Sequence, residues 1–494
     1  MLRIPIEAAP ALSTPAWVDV DLDAVAHNVR AFRRLLPAGC RLIAVVKANA
    51  YGHGIVACAR TALQHGASEL AVANVHEGAQ LRDAGVIAPI LIAGPTAPAE
   101  AGLVVQHGLT ATVATVELAH ALAAATRRYL PVHVEVDTGM GRHGVAPHAL
   151  NPFVERLVQR GKLAVAGVYT HFAATTVEQT AAMQAQLAAF HAAVDGCRAL
   201  RGARRHVSNT LGTLAVPQAR LEAVRVGGGL YGFDPFHGAR VRGPLDLRPA
   251  LALKARLVGL RDLPTGAPVG YGSAFTCARP SRVGLVPLGY ADGLPRARWA
   301  DAPVLVRGVR APIVGAVSMN QTVVDVTDVP GAALGDEVVW LGAQGGERIV
   351  AEERVEPGGS AYEVTTLLRA SLPRRYLAAA GANEAREAAA GAARRWATAP
   401  PLRAAERRIR STLAVRRRGK RPARPAKVEP TRRPGHKKLH AYGCFLPDLT
   451  RFTPPPCSGP GGPHLREPCE NWRRGGDSNP RQPCGLHSLS KRAP

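Results

Sequence analysis

Few aromatic residues, no long apolar run and no paired cysteine motif mark this chain of 494 residues. Aromatics make up 5% of it, while Ala, Gly, Val and Leu are plentiful, a composition suited to closely packed α/β architecture. No apolar stretch approaches the roughly 20 residues that a membrane-spanning helix needs. The first fifteen residues carry no basic start followed by an apolar segment, so no export signal is read and the cytoplasm is the expected compartment. None of the eight cysteines stands at C-x-x-C spacing, which leaves zinc-ribbon and dithiol chemistry without support; no metal is expected.

Acidic residues are also few, and a formal charge of +25 ordinarily suggests a nucleic-acid partner. The excess is local. Residues 381–494 hold 25 of the 62 Lys and Arg but only 8 of the 37 Asp and Glu, which accounts for +17 of the +25. That segment is Ala/Arg-rich and then Pro/Arg/Gly-rich, with too little apolar periodicity to build a core. Near its end, Asp477-Ser478-Asn479-Pro480 is what a GATTCGAATCC-like stretch, the T-arm sequence of tRNA genes, encodes. Residues 381–494 therefore read as a low-complexity basic tail with the character of read-through sequence, and nucleic-acid binding by it is not expected.

The remaining length suits two domains. Short β-branched runs at 42–46, 69–73, 90–92, 111–113, 132–136, 165–169, 206–208 and 223–226 alternate with Ala-rich helical stretches such as 56–65 and 177–200. Eight β-then-α units over about 200 residues predict a (β/α)8 TIM-like barrel. After Pro244 the rhythm changes to short strands at 250–260, 282–287, 303–307, 313–317, 322–326 and 337–340, with a helical pattern only at 362–370. The organisation expected is a barrel over 12–244 and a mostly-β domain over 245–377, which residues 15–22 join as an extra strand.

Chemistry-bearing residues gather where the barrel strands end, the face at which such barrels build their sites. Residues 42–54 read LIAVVKANAYGHG, an apolar strand running into Lys47 and a loop with Tyr51. Alone, Lys47 reads as an ordinary strand-end lysine; desolvated, it is a Schiff-base former and general base. The fifth strand leads into DTGMGRHG, whose glycines deliver Arg142, a fork suited to a carboxylate. YTHFA places His171, HVSNTLGT places Thr210, and AVRVGGGLYG places Arg225 with the anion-suited amides of Gly227 and Gly228.

The run VVKANAYGHG resembles the cofactor-lysine signature of alanine racemases, and the resemblance continues in order across residues 15–377. It implies a pyridoxal 5'-phosphate enzyme interconverting L- and D-alanine for peptidoglycan, as a homodimer with shared active sites. Lys47 is implied as the cofactor lysine and one base, and Tyr271, in VGYGSAF, as the base on the opposite face. The same resemblance gives the cofactor Tyr51, His171, Thr210, Arg225, Gly227, Gly228 and Tyr362, with His206 and Asn209 as supports. It gives the substrate carboxylate Arg142 and the backbone amide of Met319. Arg225 is implied to face the pyridine nitrogen, to which a guanidinium can only donate.

Two positions depart from the family pattern. Many members carry a lysine, often carbamylated, where this chain has Glu135, and most carry Asp where it has Asn320. Glu135 is expected to supply the negative charge that orients Arg142. Asn320 opens the alternative of a broad-specificity amino-acid racemase. A non-catalytic pyridoxal-phosphate-binding protein is the other alternative, against which the β-domain with Tyr271 counts.

Overall fold

A computed structural model describes residues 3–5, 14–159, 161–237, 243–296, 302–356 and 358–379. The tail expected at 381–494 lies outside the described residues. Eight parallel strands form one sheet: Arg41–Val45, Glu69–Val72, Ile90–Ile92, Thr110–Thr112, Leu130–Glu135, Leu163–Tyr169, Arg204–His206 and Ala223–Val226. The first to the seventh pair in succession, and the eighth pairs with the first, Ala223 lying opposite Arg41. Between the seventh and eighth no ladder forms; the Arg225 N–H instead donates to the Ser208 carbonyl at 2.9 Å. The ring is a near-closed barrel surrounded by helices.

The strands are apolar nearly throughout because both faces are covered. Leu42, Ala44, Leu70, Val72, Ile90, Ile92, Val132 and Val134 pack outward in the main core, while Ile43, Ala71, Leu91 and Ala223 form a separate inner cluster. Strand alternation and register put Thr112, His133, Glu135, Tyr169, His206 and Arg225 on that same inward face. Polar residues thus take the place that branched apolar side chains fill in most such barrels. The helices start where the sequence supplies caps: Asp21 accepts from the Ala24 N–H, Asn74 from Glu77, Thr115 from Leu118 and Asn209 from Gly212. Each cap holds about 1 kcal/mol.

A second, largely antiparallel sheet contains Leu251–Arg256, Glu337–Gln344, Val304–Val306 and Val309–Ala311. Ala16–Asp21 joins it between Leu251–Arg256 and Arg374–Ala379, as the extra strand expected at 15–22. Gly259–Leu263, Ser281–Val286 and Thr322–Asp325 form a three-stranded sheet, and Pro268–Val269 with Phe275–Thr276 a small hairpin.

Three expectations are corrected. Residues 250–260 are not one strand: the chain breaks at Leu257–Val258, where their N–H groups leave for Asp336 and Leu285, and its halves enter different sheets. Residues 313–317 are not a strand; Ile313 makes a single bridge to Val324 before Gly315, at φ 72°, turns the chain. The helix expected at 362–370 is Ala361–Thr366. Among the described residues no helix is long and apolar enough to cross a membrane.

Candidate active site

Lys47 follows the first barrel strand directly and opens a left-handed turn. Ala48, Asn49, Ala50 and Tyr51 all have φ of 53–54°, a conformation costing an L-residue about 1–2 kcal/mol. Surrounding bonds hold it. The Ala48 N–H donates to Glu77 Oε1 at 2.7 Å, Asn49 Oδ1 accepts from the Ile55 N–H, and Arg374 Nε donates to the Gly52 carbonyl. Lys47 opens onto the barrel mouth, yet enough protein surrounds its amine that desolvation, then Arg142, pushes the pKa below its ordinary value, with Glu77 opposing.

Tyr51 points back over the eighth strand. A Cβ on Gly227 would stand 2.4 Å from Tyr51 Oη, and one on Gly228 would stand 2.4 Å from the Tyr362 ring. Only glycine lets the two phenols approach that backbone. The Tyr51 and Tyr362 rings meet edge-on at 5.6 Å, and Thr210 Oγ1 accepts from Gly227 N–H at 3.1 Å, leaving its own O–H free to donate. Burial, reinforced by Tyr362, raises the Tyr51 pKa, and burial raises that of Tyr362, so both phenols stay protonated donors. Two phenols, a hydroxyl and a glycine turn make a cradle for an anion.

Arg225 fills the seam between strands seven and eight at 4% exposure. Nη1 donates to His206 Nδ1 at 2.7 Å and to the His206 carbonyl, and Nη2 donates to the Thr170 carbonyl at 2.7 Å. Because Arg can only donate, His206 Nδ1 is the acceptor, so His206 carries its hydrogen on Nε2 and donates to His133 Nδ1 at 3.0 Å. Burial and then nearby arginines push His133 down to about 3 and His206 well below its ordinary range. His171 is pushed to about 3 by burial, then by Arg225, Arg142 and Lys47. All three imidazoles are neutral. Arg225 Nε carries no hydrogen bond among the described residues, which leaves one donor for a ring nitrogen.

Arg142 is exposed at the same mouth, with no hydrogen bond among the described residues. Glu135 does not bond to it as expected; its carboxylate takes the neighbouring His143, Nδ1 donating to Oε2 at 2.8 Å. A cavity of about 270 Å³, lined by His53, Tyr231, Asp19 and Lys254, touches neither Lys47, Arg142 nor Arg225 and is separate from the mouth.

Tyr271 and Met319 behave differently. Tyr271 is 71% exposed and Met319 56%, and no hydrogen bond, ring contact or charge pair ties either side chain to Lys47. Positive φ at Gly270 and Gly272 carries Tyr271 to the tip of its turn. The Tyr290 and Ala291 N–H groups donate to the Ser318 and Met319 carbonyls, joining a second loop to the one that bears Met319. One chain thus brings together Lys47, Tyr51, Arg142, His171, Thr210, Arg225, Gly227, Gly228 and Tyr362, and leaves Tyr271 and Met319 apart from them. Asn209 serves as a helix cap.

Sequence reasoning passed over three residues that shape the mouth. The Tyr231 ring lies tilted against that of Tyr51 at 5.1 Å, and its hydroxyl donates to the Val45 carbonyl. Glu77 holds the lysine turn; the Asn74-x-x-Glu77 capping spacing was the available signal. His143 gave no signal of its own, since its partner lies eight residues away.

Comparison with known proteins covers both halves of the chain. Residues 20–235 match the family model described as alanine racemase, N-terminal domain, and residues 250–376 the alanine racemase, C-terminal domain. An alanine racemase of Desulfovibrio desulfuricans is 39% identical over 369 residues, 74% of this chain and 98% of its own length. The crystal structure of alanine racemase from Bacillus anthracis with bound L-Ala-P superposes with a TM-score of 0.69 at 33% identity, over 74% of this chain and 95% of that one. A histidine racemase of Leuconostoc mesenteroides gives 0.69 at 27% identity, over 74% and 99%. With a barrel, a β-rich domain and a cationic mouth matched in order along nearly the whole of its relatives, the chain belongs to the alanine racemase family.

Proposed function

We propose that this chain interconverts L- and D-alanine with pyridoxal 5'-phosphate, supplying D-alanine for peptidoglycan, as a homodimer with shared sites. The reading rests on one observation: Lys47, the tyrosine–glycine cradle and Arg225 converge at one mouth, in a chain that matches both domains of the family. We take the barrel as 12–244 and the β-rich domain as 245–377, with Ala16–Asp21 lent to the latter.

The residues fit the cofactor: glycines that a Cβ would overfill, two protonated phenols, and an arginine with one uncommitted donor. When bound through its aldehyde, pyridoxal phosphate acidifies the α-hydrogen of an amino acid. Tyr51, Tyr362, Thr210 and the Gly227–Gly228 turn would hold its phosphate, with Arg225 at the ring nitrogen and neutral His171 behind. Arg142 pairs with the substrate carboxylate, assisted by the Met319 amide. Lys47, its pKa depressed by desolvation, exchanges the α-hydrogen from one face as a neutral amine. The opposite face needs a second acid–base group, and Tyr271, exposed on its own chain, is supplied by the second copy.

A stereospecific assay for D-alanine on the full chain, with and without added pyridoxal phosphate, tests the reading. Cofactor-dependent racemisation is expected; none with the cofactor bound would overturn it. A second reading, a broader racemase, is favoured by Asn320 and by the likeness to a histidine racemase. Similar kcat/KM for alanine, serine, lysine and histidine would establish it.

A further inference from the structure

We propose that the buried pair Glu135–His143 positions Arg142, so that the carboxylate-binding arginine is set from inside the barrel through its neighbour's imidazole. The inference rests on Arg142 meeting the substrate carboxylate. Glu135 lies on the inward face of the fifth barrel strand at 4% exposure. Its Oε2 accepts from His143 Nδ1 at 2.8 Å and from Tyr169 Oη at 3.3 Å. Tyr169 is itself fixed, stacked on His206 at 4.8 Å and with the Arg225 guanidinium 4.7 Å from its ring centroid.

The loop between is tied at both ends. At its base the Val145 N–H donates to the Glu135 carbonyl at 2.8 Å, and the Asp137 N–H to the Val145 carbonyl at 3.0 Å. At its tip Asp137 Oδ1 accepts from the N–H groups of Gly139, Met140 and Gly141. Gly144, at φ 121°, lies so close to the strand that a Cβ would stand 2.9 Å from the Asp137 nitrogen. Only residues 142 and 143 remain to be oriented. His143 turns inward to Glu135, which leaves Arg142 facing the mouth with no side-chain partner of its own. Burying a carboxylate here is costly unless it is hydrogen-bonded, and His143 and Tyr169 supply the two donors. Glu135 and His143 are therefore positioning residues, acting on substrate through Arg142.

The test uses the full-length, cofactor-loaded enzyme carrying His143→Leu, His143→Asn or Glu135→Gln. The asparagine amide can stand where Nδ1 stood, so it keeps the donor that leucine removes. Losing one charge-assisted bond predicts a KM for alanine raised about tenfold in His143→Leu and Glu135→Gln, with kcat within about threefold. His143→Asn should restore KM to within about threefold of wild type. Visible cofactor absorbance should stay near wild type in all three, and Tm should fall in His143→Leu, where the buried carboxylate loses a donor, but stay near wild type in His143→Asn. Calorimetric affinity for propionate, which is alanine without its amine, should weaken in step with KM.

Wild-type KM and propionate affinity in His143→Leu and Glu135→Gln would overturn the proposal. So would His143→Leu with a lowered Tm and unchanged KM, the mark of a purely structural role, or His143→Asn with KM raised as far as in His143→Leu, since the donor it keeps would then not be what sets Arg142. If His143→Leu does not fold, His143→Asn and Glu135→Gln still decide. If the wild type binds cofactor and propionate but racemises nothing, the functional reading fails, and the positioning inference stands or falls on propionate affinity alone.

Discussion

Arg225, in the barrel, is 4% exposed with both Nη nitrogens engaged, whereas Tyr271, in the β-rich region, is 71% exposed at a loop tip. Met319 follows Tyr271 at 56%. Both regions contribute residues that the family resemblance assigns to a single site. Arg225, Tyr51 and Thr210 find their partners within the chain: His206, Thr170 and the glycine turn fix them before any ligand arrives. The two exposed residues have no such partner, and holding large apolar surfaces in water is unfavourable. Under the proposed homodimer, a second copy covers them, removes that cost and completes the site, which is where one chain stops being sufficient.

The largest effect is expected inside the barrel. Lys47→Ala should lower racemisation by at least about 10⁴-fold, as loss of both acid–base group and cofactor anchor requires. Retained turnover in a D-alanine assay would count against the barrel half of the site. Tyr271→Phe should cost roughly 10²–10⁴-fold in kcat in both directions while the visible cofactor absorbance stays. Loss in one direction only would break the symmetry of the comparison.

Stability effects come next. Arg225→Ala strips donors from the buried Thr170 and His206 carbonyls and should lower unfolding free energy by about 1–3 kcal/mol, read from denaturant midpoints. An equal truncation at the exposed Tyr271 should cost less than about 0.5 kcal/mol.

A pH slope sharpens the comparison last. His133 and His171 are held at about 3 in the folded chain and His206 below its ordinary range, against about 6.5 when unfolded. Above pH 6.5 both states are neutral and the imidazoles contribute nothing. Below it the unfolded chain binds more protons, so stability falls, by up to about 1.4 kcal/mol per pH unit for each imidazole. His133→Asn should flatten the decline between pH 6.5 and 4.5; an unchanged slope would deny that His133 is held neutral.

The fold was legible in the sequence because its signals are local. Apolar strand runs, the Ala-rich helical stretches between them and the change of rhythm after Pro244 each report on nearby residues. Lys47, Tyr51, Arg225 and the glycine turn were legible through contiguous motifs that resemble the family's, VVKANAYGHG and AVRVGGGLYG. What escaped was relational. Four L-residues in a left-handed turn have no compositional mark, because the turn is imposed by Glu77 and Arg374 from distant segments. The Glu135 carboxylate meets His143 and not Arg142 directly, and only folding brings the two together. The strand expected at 313–317 failed because Gly315 needs positive φ, which apolar patterning does not register.

The central claim, that the two bases of one site come from different copies, is tested most directly by mixing. Lys47→Ala and Tyr271→Phe chains, each inactive, are dissociated together and reassociated in equal amounts. Half the dimers are then mixed, each with one intact site of two, so activity should recover to about a quarter of wild type. Recovery no greater than the sum of the two variants alone would contradict it.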